Sequence, residues 1–224
     1  MRIDILTLFP NMFNDVFNDS IIKRAIDLEK VDIHLHNFRD YSKDRHKKVD
    51  DTPFGGGCGM VLTLQPIYDC LMDIKTDDAK VILLTPSGTP YKQKDAYHFS
   101  HEKHLILICG HYEGFDERIK NFVDFEISIG DYVLTGGEIP AMVLVDSITR
   151  LLPGVILEDS HLEDSFNHNL LDYPSYTKPR KFLEYSVPDV LLSGDHEKIR
   201  KYREKESRRL TEENRPDLLK EKGD

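Results

Sequence analysis

The sequence predicts an α/β fold on a largely parallel sheet, followed by a small second domain. Three observations carry this expectation. Five short β-type runs recur before residue 130, helix-compatible sequence separates most of them, and the composition changes beyond Gly154.

The first run, Ile3 to Phe9, is expected as a strand, with helix over Phe13 to Leu28 and a second strand over Val31 to Phe38. Pro66 to Met72 reads as helix, and Lys80 to Thr85, Leu105 to Cys109 and Phe125 to Ile129 as the remaining strands. Ile139 to Leu152 is expected as the last long helix of the first domain. Pro140 suits its first turn, Pro153-Gly154 ends it, and its residues are apolar nearly all round. Such a helix should be buried on more than one side, inside its domain or against a second subunit. Glu158, Asp159, Glu163 and Asp164 then mark an acidic segment without periodicity, read as an exposed linker. Helical sequence resumes from Leu171, punctuated by Pro174, Pro179 and Pro188, and Ser193 or Asp195 stands where it could cap a basic helix. The expected organisation is therefore residues 1–156, a linker over 157–170 and a small domain over 171–224.

Composition excludes several classes. An acid at Asp4 and a proline at Pro10 interrupt the amino terminus before any long apolar run, so neither signal peptide nor membrane span fits and a cytoplasmic location is expected. Cys58, Cys70 and Cys109 are widely spaced with no Cys-x-x-Cys pair, which predicts reduced thiols rather than a disulfide framework or zinc knuckle. His98, His101 and His104 do not share one helix face as a metal pair would, and are read as surface histidines. The net charge of -10 disfavours a polyanionic partner, yet the acid excess is uneven: residues 1–170 hold 17 Lys+Arg against 28 Asp+Glu, and residues 171–224 hold 13 against 12. Within Lys198 to Arg209, Lys198, Lys201, Lys205, Arg208 and Arg209 share one helical stripe that could meet a phosphate backbone.

The chemistry is expected where strands run into glycine-bearing turns: Leu84 to Gly88, Cys109 to Gly114 and Ile129 to Gly137. Ligands of open α/β sheets bind at the carboxyl ends of strands, and glycine lets backbone approach them closely. A tight turn would account for any one of these glycines; three such loops together predict one pocket. There is no G-x-G-x-x-G after the first strand and no G-x-x-x-x-G-K-[ST], so nicotinamide and nucleoside-triphosphate chemistry lose ground. The run Gly55-Gly56-Gly57-Cys58-Gly59 lacks the lysine and hydroxyl of a phosphate loop, although it could lie flat against a base or ribose.

Long segments then carry a resemblance. LTLFP (Leu6 to Pro10), NFRDY (Asn37 to Tyr41), DDTPFGGGCGM (Asp50 to Met60), CGHYEGFDER (Cys109 to Arg118), SIGDYVLTGGEIPAM (Ser128 to Met142), RLLPGV (Arg150 to Val155), EDSF (Glu163 to Phe166), LLDYPSYTKP (Leu170 to Pro179) and VPDVLLSGDH (Val187 to His196) resemble, in order, the bacterial tRNA (guanine-N1)-methyltransferases of the TrmD family. The resemblance implies a SPOUT-type fold with a deep trefoil knot, one of the rare exceptions to un-knotted topology, in a homodimer. It implies methyl transfer from S-adenosylmethionine to N1 of guanosine 37, just 3′ of the anticodon of tRNA, with magnesium as a further expectation to which no residue is assigned. By motif position Asp164 is the implied general base at N1 and Arg150 the stabiliser of charge on O6. Gly110 and Ile129, Gly130, Asp131, Tyr132, Val133 and Leu134 match donor-binding positions; Thr85, Pro86, Ser87, Gly136, Gly137 and Pro140 are expected to complete the pocket, with Glu113 facing donor or base. The stripe, with Lys178, Arg180 and Lys181, would hold the anticodon arm. His111 stands where many members have arginine, Cys58 where proline or glutamine is common, and the chain stops soon after Leu219, earlier than in many relatives. Another knotted RNA methyltransferase, acting on a ribose 2′-hydroxyl or a different guanosine, and a non-catalytic RNA-binding module are the competing readings.

Overall fold

The computed structural model describes residues 1–157, 164–166 and 169–220. The expected linker acids Glu158, Asp159 and Glu163 lie outside the described residues. The chain divides into two compact units, Met1–Ile156 and Leu157–Asp224.

In the first unit the elements run β1 (Arg2–Thr7), α1 (Asn14–Phe17), α2 (Ser20–Asp27), β2 (Asp32–Asn37), β3 (Asp50–Asp51), β4 (Val61–Leu62), α3 (Leu64–Ile74), β5 (Ala79–Pro90), α4 (Gln93–Ser100), β6 (His104–Cys109), β7 (Phe125–Ser128) and α5 (Glu138–Thr149). The five long strands form one parallel sheet in the order β2-β1-β6-β5-β7. Every residue of β6 is buried, as a central strand covered on both faces requires. Period-two alternation divides the core: Ile3, Ile5, Leu105 and Leu107 pack with α2, α4 and α5 on one face, and Leu6, Ile106 and Ile108 pack with α3 on the other.

All five expected strands form. The helix expected over Phe13 to Leu28 is interrupted, because Asn18 Nδ2 donates to the Asn14 carbonyl and the Asp19 carboxylate accepts from Ser20 N–H, ending one helix and capping the next. His104 corrects the surface reading of the three histidines. It opens β6 rather than continuing α4, and is only 3% exposed. Its Nε2 meets Asp4 Oδ2 at 2.6 Å and its Nδ1 meets Thr76 Oγ1 at 2.7 Å.

In the second unit β8 (Lys181–Phe182) and β9 (Tyr185–Ser186) make a hairpin, followed by α6 (Asp189–Leu192) and α7 (His196–Asn214). The helix expected to resume at Leu171 begins only at Asp189; Pro174 and Pro179 favour extended backbone over helix in between. Asp195 caps α7 by accepting from Lys198 N–H. The buried side of α7 is polar: Ser207 Oγ donates to the Leu171 carbonyl, and Thr211 Oγ1 accepts from Leu171 N–H.

Candidate functional site

Strands β6 and β7 point their carboxyl ends at one cleft of about 250 Å³, which β5 passes alongside. Where the sequence predicts the first turn, Leu84 to Gly88, β5 instead continues to Pro90 with a register shift between Leu84 and Thr89, and Thr85 and Pro86 line the cleft from there. The second turn contributes Gly110 to Phe115, and the third Ile129, Gly130 and Tyr132 to Gly137, with Pro140 of α5. Of the expected pocket residues, Ser87 and Asp131 are exposed outside this lining. Leu84, His111, Tyr112, Gly114, Phe115, Ile127, Ser128 and Thr135 line it without having been singled out for it. The signal for these was present, since each lies within two residues of an expected pocket residue, but which side chains of an irregular turn face inward depends on backbone angles that composition does not encode.

Two turns are joined directly. Gly137 N–H donates to the Gly110 carbonyl at 2.8 Å, and His111 pairs with Gly136 in an antiparallel bridge. Gly137 is required by this approach, because a Cβ there would stand 2.7 Å from Cys109 Cα and 2.8 Å from Gly110 N. Glu138, directly after it, is 2% exposed and accepts from Thr7 Oγ1 at 2.7 Å, which ties the start of α5 to the end of β1. Burial, together with the neighbouring Glu138 carboxylate, pushes the Cys109 thiol well above its ordinary value.

The glycine run also adjoins the cleft. Glu113 N–H donates to the Met60 carbonyl, Leu62 N–H to the Gly114 carbonyl, and Asp116 N–H to the Leu62 carbonyl, so the second turn is laid along β4. The Glu113 carboxylate lies against Gly59. Phe54, at the head of the run, is fully exposed.

Electrostatically the lining has no lysine or arginine; its ionisable members are Glu113, His111 and tyrosines. That disfavours a phosphorylated ligand and tolerates a cationic one. His111 Nδ1 is buried with no hydrogen-bond partner among the described residues, which leaves a polar atom for a ligand to satisfy. Backbone carbonyls and amides of the joined turns can read the edge of a purine. The residues present therefore fit an adenosine-bearing sulfonium.

Arg150 is not in this cleft. It caps the carboxyl end of α5, whereas the cleft adjoins the amino end, and thirteen helical steps separate Arg150 from Gly137 by about 20 Å. Asp164 belongs to the second unit, where it is half-buried. On α7, four stripe cations already face carboxylates: Lys198 with Asp195, Lys201 with Glu197, Arg208 with Glu212, and Arg209 with Glu206 and Glu213. Lys205 lies exposed beside them. Lys178 and Arg180 instead line a separate cavity of the second unit. Among the described residues no group of three or more His, Cys, Asp or Glu could hold a metal ion, and no helix is long and apolar enough to cross a membrane. The magnesium implied by the resemblance is assigned no residues.

Comparison with known proteins places residues 1–221 in the family described as tRNA (Guanine-1)-methyltransferase TrmD. Among curated relatives, a protein of Malacoplasma penetrans is 60% identical over 219 residues, covering 98% of this chain and 97% of its own length. One from Clostridioides difficile is 54% identical over 226 residues, covering 98% of each. One from Geobacillus kaustophilus is 55% identical over 225 residues, covering 99% of this chain and 92% of its own. All three are named tRNA (guanine-N(1)-)-methyltransferase.

Proposed function

Because the chain belongs to the tRNA (guanine-1)-methyltransferase TrmD family, we propose that it transfers a methyl group from S-adenosylmethionine to N1 of guanosine 37 in tRNA, in the cytoplasm. The observation that carries the donor assignment is the cleft beside β5 and at the ends of β6 and β7, built from joined glycine turns and lined without lysine or arginine. The deep trefoil knot of the SPOUT type is part of this proposal and rests on family membership.

The donor supplies an electrophilic methyl group on a cationic sulfur. Guanine N1 carries a proton at neutral pH, so the chain must remove it while charge builds on O6. Asp164 takes the N1 proton and the Arg150 guanidinium stabilises O6, both by motif position. The cleft turns orient the donor and exclude water from it, and such positioning supplies much of the rate. Since α5 holds Arg150 about 20 Å from the cleft of its own chain, the complete site is assembled from two copies, donor pocket from one and Arg150 from the other. Exposed apolar side chains at Ile139 and Val143 of α5, and at Met12 and Val16, give a homodimer an apolar surface to bury. The second unit holds the anticodon arm through its cations.

The test uses an unmodified tRNA transcript with guanosine at position 37 and S-adenosylmethionine, with the product mapped by nucleoside mass spectrometry. 1-Methylguanosine is expected. Asp164→Asn should keep donor affinity by calorimetry and lose nearly all methylation; unchanged turnover would remove Asp164 from its role.

A further inference from the structure

We propose that the second unit contains a nucleotide-binding cavity that takes an unstacked base of the bound tRNA together with its phosphate. The inference rests on the tRNA substrate proposed above and gives that unit a specific contact in place of a diffuse basic face.

The cavity, about 520 Å³, lies wholly within the second unit, between the 173–180 segment, α6 and α7. It is the charge distribution that singles it out. In a chain with 40 Asp+Glu, the lining includes Lys178, Arg180 and Arg203 and not one carboxylate. None of these three cations faces a carboxylate among the described residues, whereas Lys198, Lys201, Arg208 and Arg209 of the stripe all do. A phosphate can approach the cavity cations without displacing an internal partner; on the stripe it competes with one.

The remaining walls suit a base. The Arg203 guanidinium carbon lies over the Tyr173 ring, 4.5 Å from its centroid, a cation–π contact that holds this planar cation at the cavity. Tyr176 is 46% exposed at the same cavity, and Leu191 contributes apolar surface. Proteins that recognise single-stranded RNA stack splayed bases on aromatic rings or guanidinium planes and hold the backbone with cations. A second observation points the same way. The β8–β9 hairpin closes on a hydrogen bond from Val187 N–H to the Arg180 carbonyl, so it springs from the cavity wall. Its Phe182 and Tyr185 are 67% and 69% exposed, aromatic surface that a following nucleotide could cover.

The experiment compares the full-length protein with variants for equilibrium binding of the unmodified tRNA, as a function of salt. A transcript carrying 4-thiouridine in its anticodon loop is cross-linked in parallel and the attached peptides are mapped. Tyr176→Ala and Arg203→Ala should each weaken tRNA binding about tenfold, the effect of losing one stacked base. Arg180→Ala, at an exposed position that leaves folding intact, should lower the slope of log affinity against log salt by about one. Arg203→Lys should preserve that slope yet still bind more weakly, because the charge is kept and the plane is lost. Lys201→Ala should change binding less than twofold, and cross-links should fall within 173–187 or at Arg203. Wild-type affinity in Tyr176→Ala, Arg180→Ala and Arg203→Ala, with cross-links confined to the stripe or the first unit, would overturn the assignment. Methylation by the wild-type protein is scored on the same tRNA: if it fails, the proposed activity falls, whereas wild-type methylation with unaffected cavity variants removes only the cavity.

Discussion

At the scale of single residues, one buried carboxylate, Glu138, adjoins the cleft, and another, Asp4, anchors the sheet. Asp4 is fully buried on β1 and accepts from Arg2 Nε at 2.6 Å, while His36 Nε2 and His104 Nε2 each lie 2.6 Å from its carboxylate. Thr76 Oγ1 donates to Asp78 Oδ1 and lies 2.7 Å from His104 Nδ1. Burial alone would push the Asp4 carboxyl up, but the donors from His36, Arg2 and His104 outweigh it and hold the group far below the usual carboxylate range. A depressed carboxyl contributes stability that is fully present above its unfolded value, about 4, and is lost as pH falls toward the folded one. Asp4→Asn should therefore lower unfolding free energy by about 3 kcal/mol in urea titrations at pH 7, and the gap to wild type should narrow below pH 4. Thiol reactivity is a second residue-scale test. Cys70 is buried and pushed up to about 12 mainly by burial, Cys109 is buried, and Cys58 is exposed. A thiol reagent at pH 8 should label Cys58 quickly and the other two only on unfolding.

At the scale of elements, α5 connects the proposed donor pocket with the proposed catalytic arginine. Its amino end is fixed by Gly137 against Cys109 and by Glu138 against Thr7; its carboxyl end presents Arg150. Gly137→Ala should separate the two joined turns and weaken S-adenosylmethionine binding at least tenfold by calorimetry, with modest loss of stability. The sequence indicates a helix apolar nearly all round, and the structure divides its surface: Ala141, Leu144, Val145 and Ile148 fill the core, while Ile139 and Val143 stay 46% and 40% exposed. One chain thus covers only part of the helix, as expected if a second copy covers the remainder.

At the scale of the whole molecule, net charge of -10 and an RNA substrate are compatible because the acids lie mostly before residue 171 and a carboxylate-free, cation-lined cavity lies after it. The proposed assembly of the site from two copies gives a sharp expectation. At a donor concentration too low to load the Gly137→Ala pocket, mixing Gly137→Ala protein with Arg150→Ala protein should restore about a quarter of wild-type methylation once subunits exchange. Half the dimers are then mixed, and each mixed dimer has one intact site of two. No recovery would mean that each chain carries a complete site. Much of this protein was legible in its residues: apolar runs bounded by turn residues located all five sheet strands, the three glycine-bearing segments located the cleft although the first continues as β5, and long motifs located the family, since period-two burial and glycine at close backbone approaches leave direct marks in composition. Tertiary structure alone decided the rest. It placed His104 on a buried strand opposite Asp4, directed Ser87 and Asp131 out of the cleft and His111 into it, paired four of the five stripe cations with carboxylates, and gathered Lys178, Arg180 and Arg203 around one cavity. Those outcomes depend on which residues distant in sequence come within about 4 Å of one another, and local pattern carries no term for that distance.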